Sequence, residues 1–131
     1  MKKNWKLSGL KAAVTGCENV IAQSIVKGLL SEDVSVSVIS NDSSAFDHLQ
    51  VENSFLTDYS EDKAAKKLKE QIGALDILIN ATSGHHSSVL SPYDIGNSEW
   101  TAEMRKHFVF PRELTHEVLP GMIDKKWGRI I

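Results

Sequence analysis

The feature that most constrains this chain is the run at residues 75–81, LDILINA, short and almost continuously apolar at its centre. A strand covered on one face alternates apolar and polar residues; a strand covered on both faces does not. The run therefore predicts a strand buried on both sides, the situation of a parallel sheet with helices on each face. Residues 11–15, KAAVT, form a second short apolar strand that ends at Gly16.

The remaining elements fall around these two. Over residues 19–30, Val20, Ile21, Ile25, Val26, Leu29 and Leu30 recur at helical spacing. Residues 34–39 alternate Val and Ser, so a strand with one better-buried face is expected there. Residues 41–44 break the pattern, and residues 51–57 are another strand candidate ending at Asp58. Ser60 is placed to cap a helix, with Glu61 and Asp62 in the first turn, where the helix dipole favours acids. Ala64, Ala65, Leu68 and Ile72 line one side of that helix, Lys63, Lys66, Lys67 and Lys69 the other, and Gly73 is its natural stop. A loop follows from Thr82 to about Asn97. The last helix starts near Ser98 and sets Trp100, Met104 and Phe108 on one stripe. It runs on through Leu114 and Val118, with a kink expected at Pro111 and a weakened end at Pro120 and Gly121. Residues 127–131, WGRII, read as the beginning of a strand.

This order, β-α-β-(short helix or loop)-β-α-β-α-β, implies an α/β fold with about five parallel strands and right-handed crossovers. Ligands of such sheets bind at the carboxyl ends of the strands, where strand order reverses. Gly16, the residues after Ile39, Asp58 and Asn80 are expected around that crevice.

Composition removes several function classes. The 131 residues carry a formal net charge of −2, which gives no reason to expect nucleic acid or a membrane surface as partner. No run approaches the ~20 apolar residues of a membrane span. Residues 1–10 contain no apolar stretch long enough for a signal peptide. Cys17 is the only cysteine, so an internal disulfide or a thiolate metal cluster is excluded, and a reducing cytoplasm fits best. His85 and His86 are adjacent and do not aim at one metal, so no metal site is expected. No nucleophile elbow of the Gly-x-Ser-x-Gly kind exists.

Four pieces in order and spacing resemble the short-chain dehydrogenase/reductase family. Residues 10–16 (LKAAVTG) resemble its opening strand and Thr-Gly, and residues 73–79 (GALDILI) resemble the strand before its Asn-Asn-Ala-Gly. Trp100 followed by Val118-Leu119-Pro120 resembles its fourth main helix, and residues 127–131 the strand after it. The resemblance implies a Rossmann-like doubly wound parallel sheet over residues 1–131, one partial domain without the C-terminal half of the fold.

The functional positions of the family match less well. Its phosphate loop, Thr-Gly-x-x-x-Gly-x-Gly, corresponds to Thr15-Gly16-Cys17-Glu18-Asn19-Val20-Ile21-Ala22. Gly16 is kept, and Ala22 is a mild change at a helix-packing position. Val20 replaces the glycine that lets the backbone approach a pyrophosphate, and its branched side chain would stand in the way. Glu18 sets an acid where phosphate would sit, or else satisfies the helix end. Asp58 matches the family's adenine-contacting Asp, or is a turn residue, and Asn80 survives from Asn-Asn-Ala-Gly while Ser83 replaces its glycine. Ser40 and Asn41 fall where the family chooses NAD or NADP and favour neither. Gly16, Ala22, Asp58 and Asn80 are thus the cofactor-binding candidates of a degenerate site.

No catalytic residue is expected. The family's helix Asn corresponds to His107, and its Ser and Tyr-x-x-x-Lys lie beyond residue 131. Tyr59 and Lys63 match Tyr-x-x-x-Lys in letters, but Tyr59 precedes its helix at the adenine end, the wrong place for hydride chemistry. Cys17 near a helix start would have a lowered pKa were Glu18 not beside it, so a plain small turn residue is expected.

The resemblance implies two functions. One is a non-catalytic, dehydrogenase-like subunit that binds no NAD(P) tightly and joins a catalytically complete relative in a homo- or hetero-oligomer. The other is the N-terminal part of an active NAD(P)-dependent alcohol or ketone oxidoreductase. A receiver-like or flavodoxin-like domain fits the acidic pattern poorly.

Overall fold

A computed structural model describes residues 6–83 and 94–131. The histidine pair at 85 and 86 and most of the loop expected from Thr82 to about Asn97 lie outside the described residues. Five parallel strands form one sheet: β1 (Lys11–Thr15), β2 (Ser35–Ser40), β3 (Asn53–Leu56), β4 (Ile77–Asn80) and β5 (Arg129–Ile130). Their spatial order is β3-β2-β1-β4-β5. The chain therefore reverses its direction of travel between β1 and β4, the α/β Rossmann-like arrangement expected from the alternation of elements.

Period-two geometry divides the strand side chains between two cores. Ala12 and Val14 of β1, Val36 and Val38 of β2, and Ile77 and Ile79 of β4 face α1 (Val20–Ser31). Ala13, Ile39 and Leu78 face α2 (Ala64–Ile72) and α4 (Phe110–Asp124). In β2 the face of Ser35 and Ser37 proves to be covered too: Ser35 is exposed, but Ser37 is buried beside Ile39 on the same side. The Val/Ser alternation therefore does not mark a wet face. Serine is small enough to pass under a helix.

Three helix boundaries differ from expectation. Ser60 does not cap α2. The Asp58 carboxylate accepts from the Ser60 amide (2.9 Å) and hydroxyl (2.6 Å) and holds residues 58–60 in a turn. The helix then begins at Ala64, after Lys63 in the left-handed region at φ 62°. Where a kink is expected at Pro111, the helix changes type just before the proline. Between α3 (Asn97–Met104) and α4, residues Arg105–Val109 form a π-type turn in which the Phe110 amide donates to the Arg105 carbonyl. Pro111 has no amide for the residue 107 carbonyl and its ring crowds that turn, so the wider turn accommodates both problems. Finally, Pro120 does not weaken the helix end: α4 continues to Asp124. Pro120 is exposed, while Phe110, Leu114, Val118 and Met122 stay buried against the sheet and hold the helix across the missing bond.

Candidate functional site

The carboxyl ends of β1 and β4 meet at the strand-order reversal, and the turn after β1 is drawn tightly onto β4. Gly16 has φ 77°, and a Cβ built there would overlap the Ala81 carbonyl. Only glycine satisfies both conditions. Asn19 caps α1: its Oδ1 accepts from the Ala22 amide at 2.9 Å. The Asn19 Nδ2 donates to the Gly16 carbonyl (2.6 Å) and the Ala81 carbonyl (2.8 Å), binding turn, helix and β4 together. Val20 opens α1 with three quarters of its surface exposed, while Ala22 is fully buried against the sheet.

Glu18 does not serve the helix end. Asn19 has that role, and the Glu18 side chain turns inward until only 7% of it is exposed. Its Oε2 lies 3.2 Å from the Ser40 hydroxyl and 3.2 Å from the Tyr59 hydroxyl. Its Oε1 has no hydrogen-bond partner among the described residues, and the Lys106 ammonium stands 3.9 Å away, itself only 13% exposed. Lys106 comes from the π-type turn, which Thr82 fastens to the end of β4 by donating its hydroxyl to the Lys106 carbonyl (3.3 Å).

Tyr59 is buried under this cluster. Its hydroxyl accepts from the Gly16 amide (3.0 Å) and reaches the Ile39 carbonyl (3.3 Å), and its ring lies 4.9 Å from that of Phe110. Burial first, and then the Glu18 carboxylate, push its phenol well above the ordinary range. Lys63 sits in the left-handed residue ahead of α2, so Tyr59 and Lys63 share no helical face. Burial also pushes the Cys17 thiol up to about 12, with Glu18 adding to the effect. Cys17 donates to the Val14 carbonyl (3.3 Å) and is an inert part of the turn.

The expected site residues are not all brought together. Gly16, Glu18, Ser40 and Tyr59 converge. Asp58 is exposed, its carboxyl held below the usual range by the Ser60 hydroxyl and amide, and it lines a separate cleft with Glu61 and Lys67. Asn80 ends β4 with its Oδ1 buried and unpartnered among the described residues. His107 sits partly buried, 3.0 Å from Glu103 one turn earlier. A cleft of about 580 Å³ opens beside the cluster, lined by Glu18, Val20, Gln23, Lys27, Asp42 and Ser44. Another of about 450 Å³ lies between α4 and β5, lined by Leu119, Met122, Ile123, Trp127 and Ile130 among others. Lys106 is the participant that sequence reasoning missed: 88 positions separate it from Glu18, and no local pattern links them. Among the described residues no group of three His, Cys, Asp or Glu side chains is arranged to hold a metal, and no helix is long and apolar enough to cross a membrane.

The family model for short chain dehydrogenases matches residues 11–131. The chain belongs to the short-chain dehydrogenase family. A short chain dehydrogenase of Pseudocercospora fijiensis is 30% identical over 140 residues, covering 96% of this chain and 45% of that protein. The solved 3-oxoacyl (acyl-carrier-protein) reductase of Agrobacterium tumefaciens, with NADP bound, superposes with a TM-score of 0.82 at 23% identity. That match covers 95% of this chain and 52% of the reductase. A further solved short chain dehydrogenase/reductase family protein gives a TM-score of 0.82 at 20% identity, over 95% of this chain and 54% of its own. The chain thus spans about half the length of the relatives it matches and corresponds to the N-terminal region of the short-chain dehydrogenase fold.

Proposed function

We propose that this short-chain dehydrogenase chain is a non-catalytic unit that binds no nicotinamide dinucleotide tightly and works by associating, in the cytoplasm, with a catalytically complete relative. The observation that carries the reading is the buried Glu18 carboxylate in the turn where the family's pyrophosphate lies. A diphosphate there would meet a like charge in a poorly hydrated corner, where repulsion is far stronger than in water. Val20 adds a branched side chain at the first residue of α1, where the family has glycine. The residues present do not fit the phosphates. His107 in place of the family's Asn, and Ser83 in place of its Gly, argue the same way.

Association is supported by the outer side of the helical segment after the strand-order reversal. Trp100 and Phe108 are about two-thirds exposed, and Met104 more than one-third, on one stripe. Large apolar side chains at helical spacing on a surface mark a contact to be covered.

The second reading, part of an active NAD(P)-dependent oxidoreductase, is favoured by the half-length match to intact dehydrogenases. In it Gly16, Ala22, Asp58 and Asn80 would line the cofactor's path. Fluorescence titration with NADH and NADPH separates the two. No saturable binding up to millimolar nucleotide is expected, and micromolar binding of either would sink the non-catalytic reading.

A further inference from the structure

The Glu18–Lys106 contact is a poor device for stability. Both side chains are largely removed from water, at 7% and 13% exposure, which costs each its hydration. The return is small: 3.9 Å between Nζ and Oε1 is about 1 Å beyond a charge-assisted hydrogen bond, and Oε1 gains no other partner among the described residues. Nor is Oε2 held by a dedicated donor. The Ser40 hydroxyl has the Asp42 carbonyl at 2.9 Å as well as Glu18, and the Tyr59 hydroxyl has the Ile39 carbonyl. Each hydroxyl has one proton to share between two acceptors. Three potential donors, Ser40, Tyr59 and Lys106, thus surround one carboxylate without closing on it.

That is the donor set of an oxyanion site with an internal anion inside it. We propose that Glu18 is a built-in occupant of this corner, and that Lys106 behind it is a latent binding group for a phosphate or diphosphate, released from its counter-charge when the Glu18 charge is removed. The proposal rests on the reading of the corner as closed to a dinucleotide and supplies its cause: the closure is electrostatic and reversible by one side chain. Lys106 is suited to the task. An ammonium on a flexible stem binds phosphate as a point charge, and the π-type turn that presents it is anchored to β4 through Thr82.

The test is a titration of the wild-type chain, E18Q, K106M and the double variant with inorganic pyrophosphate and, separately, with NADPH. E18Q keeps the shape and loses the charge. It is expected to bind pyrophosphate at least about tenfold tighter than wild type, and K106M in the E18Q background is expected to return the affinity to the wild-type level. E18S serves as the second opening variant should E18Q not fold. No gain in E18Q or E18S, or a gain that survives K106M, overturns the latent site. Tight NADPH binding by the wild type overturns the non-catalytic reading instead, so the two failures are told apart. NADPH binding by E18Q that tracks pyrophosphate binding extends the site to whole dinucleotides; pyrophosphate binding alone confines it to the free anion, with Val20 as the remaining obstacle.

Discussion

The turn at residues 16–19 and the helical segment at residues 97–109 lie at the same end of the sheet and solve opposite problems. In the turn, polar groups are met from within: Gly16 by Tyr59 and Asn19, Cys17 by Ile39 and Val14, the Ala22 amide by Asn19. The backbone amides of the turn are thereby occupied, and Glu18 Oε1 is the buried polar atom it leaves without a hydrogen bond among the described residues. In the helical segment no residue of α3 or of the π-type turn is buried, and Trp100, Met104 and Phe108 face outward. The apolar surface there is unmet from within. The turn makes its backbone hydrogen bonds internally, and the helical segment leaves large apolar side chains exposed. The seam between the two regions is Lys106.

The largest effect is expected at the turn. Gly16→Ala adds a Cβ against the Ala81 carbonyl at a positive φ. A destabilisation of about 3 kcal/mol or more is expected, read as a lower urea midpoint or loss of the folded form. A near-neutral result would mean the turn has slack, and the contrast with the helix would collapse. Next comes a pair within the helical stretch. Leu114→Ala, at a fully buried site on α4, is expected to cost about 2–5 kcal/mol. Phe108→Ala, on the exposed stripe, should stay within about 0.5 kcal/mol in the isolated chain. A large Phe108→Ala penalty would show that the stripe is already covered, for instance by self-association.

The smallest effect lies outside both regions and is a matter of pH. Asp76 accepts from the Lys125 ammonium and the Lys11 amide, and chiefly the Lys125 bond holds its carboxyl below the usual range. A depressed folded pKa contributes stability that is present above the unfolded value, about 3.9, and lost as pH falls through the folded value. Asp76→Asn should therefore lower stability at neutral pH and flatten the acid limb below about pH 4. An unchanged acid limb in thermal denaturation from pH 7 down to about 2 would remove Asp76 from the account.

Much of the architecture was legible in the residue pattern. Continuous apolar runs at residues 11–15 and 75–81 and the 3.6-residue spacing over residues 19–30 and 64–72 are local, and local periodicity follows directly from which faces must be covered. The dehydrogenase family was legible for the same reason, since its signature pieces are short and ordered along the chain. The true start of α2 was hidden because Asp58 and Ser60 offer competing hydrogen bonds to the same amides, and the helix through Pro120 was hidden because distant packing overrides a local break.

The candidate site was legible only in its letters. The sequence alone determined that an acid and a valine stand in the turn that corresponds to the family's phosphate loop, with Gly16 kept; that only glycine fits at residue 16 follows from its positive φ and the approach of Ala81. Whether Glu18 would cap the helix, face solvent or turn inward was decided by tertiary structure. Its partners come from β2, from the turn after β3 and from residue 106, and charge and hydrogen-bond partners that far apart along the chain leave no local trace. Side-chain direction at an irregular turn follows from what the rest of the fold brings within about 4 Å, and only the folded chain brings Lys106 there.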